Sequence, residues 1–164
     1  MKKTFTLFGL LLMCLLTFAQ NPCPQVIPAL QQWKGAKGTL ALPAQGSIVI
    51  NPQDEATLGQ TASILADDLK ELMGWEYSIT TGKAKKNDIY LSLSQPDEQL
   101  GKEGYVLAIN NKVSIEAPTT QGVFWGTRTL LQMLYRQEAT LAKGTTRDWP
   151  EFPSRGFMLD VGRK

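Results

Sequence analysis

Two stretches of this chain carry apolar residues at helical spacing, and short β-branched or alternating runs surround them. In the first, Leu58, Ala62, Leu65, Leu69 and Leu72 form one stripe, with Asp67, Asp68, Lys70 and Glu71 on the opposite face. Asn51 can cap this helix, Pro52 suits its first position, Asp54 sits at the positive end of the dipole and Gly74 stops it. The second helix begins near Thr119 or Thr120, after Pro118. Val123, Thr127, Leu130 and Leu134 form its stripe, and Phe124, Leu131 and Met133 widen the apolar face. Gly122 and Gly126 lie one turn apart on the same side. A helical glycine costs about 0.5–1 kcal/mol relative to alanine, so the pair predicts a close backbone approach by another element. The width of the face predicts burial on more than one side.

Strands are predicted over residues 38–42 (GTLAL), 47–50 (SIVI), 77–80, 88–94 (DIYLSLS), 104–109 (GYVLAI) and 112–117 (KVSIEA). Asn110-Asn111 joins the last two into a hairpin, asparagine being tolerant of positive φ at turn positions. From Ala139 the pattern weakens, with a short strand over residues 145–149 and a stiff Pro150-Glu151-Phe152-Pro153 connector before another apolar run. Strand, helix, several strands, helix, linker and strand describe an α+β domain: a mixed sheet with two helices packed on one face, followed by the beginning of a second unit.

Residues 1–19 stand apart from that domain. Lys2 and Lys3 precede the apolar run 4–18, and Thr17-Phe18-Ala19 offers small residues at the −3 and −1 positions for cleavage before Gln20. The run is shorter than the roughly 20 residues that span a bilayer, so it reads as a cleaved signal peptide rather than an anchor. An exported protein follows, periplasmic, surface-bound or secreted, with no stable membrane span. Cleavage takes two lysines from the 17 basic residues and nothing from the 15 acidic ones, leaving a neutral chain. With only the short Lys83, Lys85 and Lys86 cluster, the chain lacks the basic stripe that nucleic acid requires. Cys14 leaves with the leader, so Cys23 has no partner for a disulfide. The absence of histidine removes histidine bases and most zinc sites, and no P-loop or GxGxxG occurs. No cofactor or metal is expected.

The last quarter of the chain has a specific look. GVFWGTRTLLQML (residues 122–134) followed by DWPEFPSRGFMLDVGRK (residues 148–164) resembles the junction between the N-terminal domain and the catalytic barrel of glycoside hydrolase family 20, the β-N-acetylhexosaminidases. Gly122, Gly126, Thr129-Leu130 and Gln132 on the helix carry the resemblance. Asp148, Pro150, Phe152, Arg155-Gly156, Leu159-Asp160 and Arg163 continue it. Behind the signal peptide over 1–19, it implies an N-terminal α+β domain over 20–150, and a linker with the first strand of a truncated (β/α)8 barrel over 151–164. It also implies an exo-acting enzyme that removes terminal β-linked N-acetylglucosamine or N-acetylgalactosamine with retention, the substrate's own acetamido oxygen attacking the anomeric carbon.

That chemistry needs an adjacent Asp-Glu pair at the carboxyl end of a later barrel strand. The Asp-Glu dipeptides present, Asp54-Glu55 and Asp97-Glu98, open a surface helix and follow a proline in a turn, so no catalytic residue is expected within these residues. Carried over by the resemblance, Arg155 contacts hydroxyls of the terminal sugar, a role that suits its fan of fixed donors, and Asp160 and Arg163 support the site. An ion pair at a strand end is the structural alternative for Arg155. Trp125 and Phe124 read as core, and Trp149 as filling the seam between domains. The implied partners are a terminal N-acetylhexosamine of glycans or chitin-type oligosaccharides and the catalytic barrel missing from these residues. A non-catalytic carbohydrate- or protein-binding module is the competing reading. Against it stands the apolar run Phe157-Met158-Leu159, which left exposed would invite aggregation, so the chain is expected to be a piece of a longer one.

Overall fold

The computed structural model describes residues 20–136, 139–152, 154, 156, 158, 159 and 162. The expected leader over 1–19 lies outside them, as do Arg155, Asp160 and Arg163; of the apolar run Phe157-Met158-Leu159, Phe157 also lies outside, and Met158 and Leu159 are exposed and belong to no strand. In chain order the elements are β1 (Gln32–Ala41), β2 (Gln45–Ile50), α1 (Glu55–Met73), β3 (Glu76–Thr81), β4 (Ile89–Leu93), β5 (Tyr105–Ile109), β6 (Val113–Ala117), α2 (Thr120–Arg136) and β7 (Thr140–Asp148). One mixed sheet holds all the strands in the order β1-β7-β5-β6-β4-β2-β3. The pairs β6–β4, β4–β2 and β2–β3 are parallel, whereas β1–β7, β7–β5 and β5–β6 are antiparallel. The two helices touch each other and both pack on the sheet, so they form a single layer on one face. This is the α+β arrangement that the pattern predicts.

Helix α1 buries Leu58, Ala62, Leu65 and Leu69 of its stripe, but Leu72, in the last turn, is half exposed. Gly74 adopts the left-handed conformation and its N–H closes the helix on Lys70. Asn51 does not cap. Its side-chain Nδ2 donates to Asp54 Oδ2 at 2.8 Å, and that same carboxylate oxygen accepts from the Leu93 backbone amide at 2.8 Å. Asp54 thereby ties the helix start to β4 instead of merely facing the dipole.

All four residues of the second helical stripe are buried in α2. The glycines behave as their spacing predicts. A Cβ on Gly122 would collide with the Gly104 carbonyl and lie 2.7 Å from Ala117 Cβ; one on Gly126 would lie 2.5 Å from Ile115 Cγ2. Here the helix backbone rests directly on β5 and β6. Trp125 departs from expectation, since 39% of it is exposed and it sits outside the core.

The hairpin β5–β6 forms, with Ile109 opposite Val113, yet neither Asn110 nor Asn111 takes a positive φ. The turn closes instead by the Asn110 amide donating to the Lys112 carbonyl at 3.0 Å. Two strands are longer than their patterns suggest. β1 starts upstream at Gln32 and carries a register shift between Gly35 and Thr39, which erases its alternation. β7 is nine residues of TLAKGTTRD, a polar sequence that gains its place by pairing on both sides.

Candidate functional site

At the end of the sheet where β5 begins and β7 ends, a groove of about 650 Å³ opens between the lead-in segment and the outer side of α2. Residues 27–31 form one wall, Trp125, Arg128, Thr129 and Gln132 of α2 the other, and residues 149–152 run along the rim. Local sequence explains the placement. Gly104 cannot carry a side chain against the Leu100 and Asp148 backbone, and the chain then turns Tyr105 inward beneath α2.

The polar groups of the groove bind one another. Tyr105 donates its hydroxyl proton to Asp148 Oδ2 at 2.8 Å, so the 2.5 Å contact with Thr129 is a donation from the threonine. Asp148 Oδ1 accepts from the Gln31 amide at 2.9 Å. Gln132 holds both backbone groups of Ile27, accepting from its amide and donating to its carbonyl at 3.0 Å each. Burial pushes the Tyr105 hydroxyl well above its ordinary pKa; the Thr129 hydrogen bond offsets part of this and the Asp148 charge adds to it. This phenol keeps its proton and serves as a donor, not a base. Burial and the Asp148 charge likewise raise the nearby Cys23 thiol. In the groove wall, Arg128 lies 4.6 Å from the Phe124 ring centroid and pairs with Asp68 at 2.5 Å.

The two Asp-Glu dipeptides are engaged elsewhere. Asp54 is buried in its structural role, and Asp97 receives Arg147 Nη2 on both oxygens at 2.7 Å and the Gln99 and Leu100 amides on Oδ1. The Arg147 hydrogen bond is the main reason the Asp97 carboxyl is held below the usual range. Among the described residues no group of three or more His, Cys, Asp or Glu side chains could hold a metal ion, and no helix is long and apolar enough to cross a membrane. A second depression, shallower, lies between α1 and the start of β3 and is bordered by Asp67, Lys70, Trp75 and Glu76.

The sequence-derived site residues Arg155, Asp160 and Arg163 lie outside the described residues. The structure does bring together three residues of the same sequence pattern that had no role in it. Thr129, Gln132 and Asp148 meet in the groove network, while Phe152 stands exposed at its rim. Tyr105, the hub of that network, is not marked by any pattern in the sequence; a glycine before an inward-facing tyrosine was the available signal.

In this α+β domain the groove residues pin two chain segments, Asp54 ties a helix start to a strand, and Asp97 holds a loop. Residues 23–149 match the family model for glycosyl hydrolase family 20, domain 2, and the chain belongs to that family. It is 32% identical over 138 residues to a lacto-N-biosidase of Bifidobacterium bifidum, an alignment covering 83% of this chain and 12% of the relative. A β-hexosaminidase of Porphyromonas gingivalis is 29% identical over 149 residues, covering 84% of this chain and 19% of the relative. The chain thus spans less than a fifth of either relative's length. A Streptomyces plicatus β-hexosaminidase solved with its product GlcNAc shares the fold at a TM-score of 0.64 and 23% identity, over 82% of this chain and 28% of that one.

Proposed function

We propose that this chain is the N-terminal part of an exported β-N-acetylhexosaminidase and that its own domain is a non-catalytic platform for the catalytic barrel. The membership of residues 23–149 in the family's second domain carries the reading, supported by relatives named as a lacto-N-biosidase and a β-hexosaminidase. The full-length protein would remove a terminal β-linked N-acetylglucosamine or N-acetylgalactosamine with retention, the acetamido oxygen acting as nucleophile. The Asp-Glu pair that orients this group and protonates the leaving oxygen would belong to the barrel.

The groove favours a packed protein surface over a sugar. Trp125, Ile27 and Phe152 present exposed apolar area, while Gln132, Asp148, Tyr105 and Thr129 are each hydrogen-bonded within the domain. A sugar would need several free donors and acceptors at that wall, where Arg128 Nη2 is a buried donor without a hydrogen-bond partner; an apolar barrel flank would not. Arg155, a few residues past the groove rim, would then reach the terminal sugar's hydroxyls from the start of the barrel.

The test is hydrolysis of a chromogenic N-acetyl-β-glucosaminide by the full-length protein, with Arg155→Ala beside it. The reading expects turnover, and a fall in kcat/KM of about tenfold or more in the variant. No turnover of either gluco or galacto substrate would remove the enzyme reading, and an unchanged kcat/KM would remove Arg155 from the site.

A further inference from the structure

The two edges of the sheet are built differently. Strand β1 is bulged between Gly35 and Thr39, carries Lys34 and Lys37, and is strapped by Asn21. The Asn21 amide reaches the Ala36 carbonyl at 3.1 Å and its side chain the Gly38 carbonyl at 2.7 Å. Bulges, lysines and covering segments are the usual ways of blocking further strand pairing. Strand β3 has none of them. Its six residues, EYSITT, stay in unbroken register with β2 and contain no proline, glycine or lysine.

The direction of its free groups follows from the parallel pairing. The Glu76 and Gly82 amides donate to Ala44 and Ile50 on the β2 side. Alternate residues point their backbone groups to opposite sides, so those of Tyr77, Ile79 and Thr81 face outward from the sheet edge. No described residue pairs with that edge. Ile79, on the helix-covered face with Ile48 and Ile89, is 42% exposed.

We propose that β3 pairs antiparallel with β3 of a second copy of this chain, about a two-fold axis normal to the sheet through Ile79. That register sets Ile79 against Ile79 and Tyr77 against Thr81, so every outward residue falls in a hydrogen-bonded pair that exchanges two bonds. It covers the exposed Ile79 side chain with its own symmetry mate and leaves Ser78 opposite Thr80 on the polar face. Charge fits the same register. The basic turn after β3, with Lys83, Lys85 and Lys86 exposed, is carried to the start of the partner's strand, where Glu76 is exposed and Asp67 borders the depression alongside Lys70. This gives the lysine cluster a partner of opposite charge. The edge lies four strands from β5 and so leaves the groove open. The inference does not depend on the hexosaminidase reading.

Sedimentation equilibrium of the purified full-length protein tests the pairing. The expected result at tens of micromolar is the mass of two chains, falling towards one on dilution. Ile79→Pro removes the central outward N–H without removing a bond to β2 and should raise the dissociation constant by about tenfold or more. Lys83→Glu with Lys85→Glu and Lys86→Glu, which alters exposed side chains alone, should do likewise and flatten the salt dependence. Glycosidase turnover, measured alongside, should be unchanged in both. A single-chain mass throughout would leave the edge to some other chain and overturn the proposal; so would a dimer unaffected by both variants.

Discussion

The parallel and antiparallel halves of the sheet are held by different means. In the parallel half, β4, β2 and β3 lie under α1, and Ile48, Ile50, Leu58, Leu65, Ile89 and Leu91 fill the space between with almost no exposed surface. Stability there comes from apolar volume. In the antiparallel half, α2 settles onto β5 and β6 through glycines, and β1 and β7 are polar strands stitched by specific bonds. Thr146 donates to the Gln32 carbonyl at 2.7 Å and the Trp33 ring nitrogen to the Asn21 carbonyl at 3.1 Å. Both halves share one apolar core, with Leu107, Ile109, Ile115, Leu130 and Leu134 of the second as fully buried as their counterparts in the first; the second adds close backbone approach to that burial. The second is also where the groove forms.

The contrast can be broken most strongly in the parallel half. Leu65 is fully buried, so Leu65→Ala should lower the unfolding free energy by about 3 kcal/mol, through lost transfer energy and the cavity left behind. Denaturant titration reads this directly, and a loss below about 1 kcal/mol would mean that α1 repacks freely. The antiparallel half is probed by Gly126, with a glycine of α1 as its control. Gly126→Ala should cost about 1–2 kcal/mol, because its methyl must displace Ile115 and the Tyr105 ring despite the gain in helix propensity. Gly59, on α1, has nothing within 4 Å of an added Cβ, so the same substitution there should stabilise by about 0.5–1 kcal/mol. Equal signs at the two sites would remove the distinction.

A smaller effect depends on pH. Tyr77 donates to the Pro43 carbonyl at 2.8 Å, and burial, helped by the charge of Asp88, pushes its pKa from the ordinary 10.0 up to about 12. Above pH 10 the unfolded chain loses this proton first, so the native state binds more protons and stability falls as pH rises. The contribution is complete below pH 10 and gone above about pH 12. Tyr77→Phe should make the decline across that window shallower, with Tyr105 supplying part of what remains.

The same contrast explains what the sequence disclosed. Volume leaves a periodic trace: the α1 stripe, the hairpin and the β4 run are legible because burial selects apolar residues at fixed spacing. Backbone proximity leaves fewer marks. Gly122 and Gly126 were legible because glycine is costly in a helix, but nothing local distinguishes Thr140–Asp148 from a polar loop. Its strand character comes from β1 and β5 on either side, and the bulge in β1 conceals that strand for the same reason. Tyr105 and its bonds to Thr129 and Asp148 join positions far apart in sequence, where no pattern registers them. The motif that suggested the family supplied Thr129, Gln132 and Asp148 as letters, and the fold supplies their meaning as the pins of the groove.

The central claim is that this domain supports catalysis without performing it. Asp97-Glu98 is, with Asp54-Glu55, one of the two Asp-Glu dipeptides of the chain, and Asp97 is engaged with Arg147 and two loop amides. The most direct measurement is kcat/KM of the full-length protein carrying Asp97→Asn and Glu98→Gln together, on a chromogenic N-acetyl-β-glucosaminide. The account predicts a value within about twofold of the unaltered protein's. A loss of about a hundredfold or more, with the fold intact, would place the chemistry in this domain and contradict it.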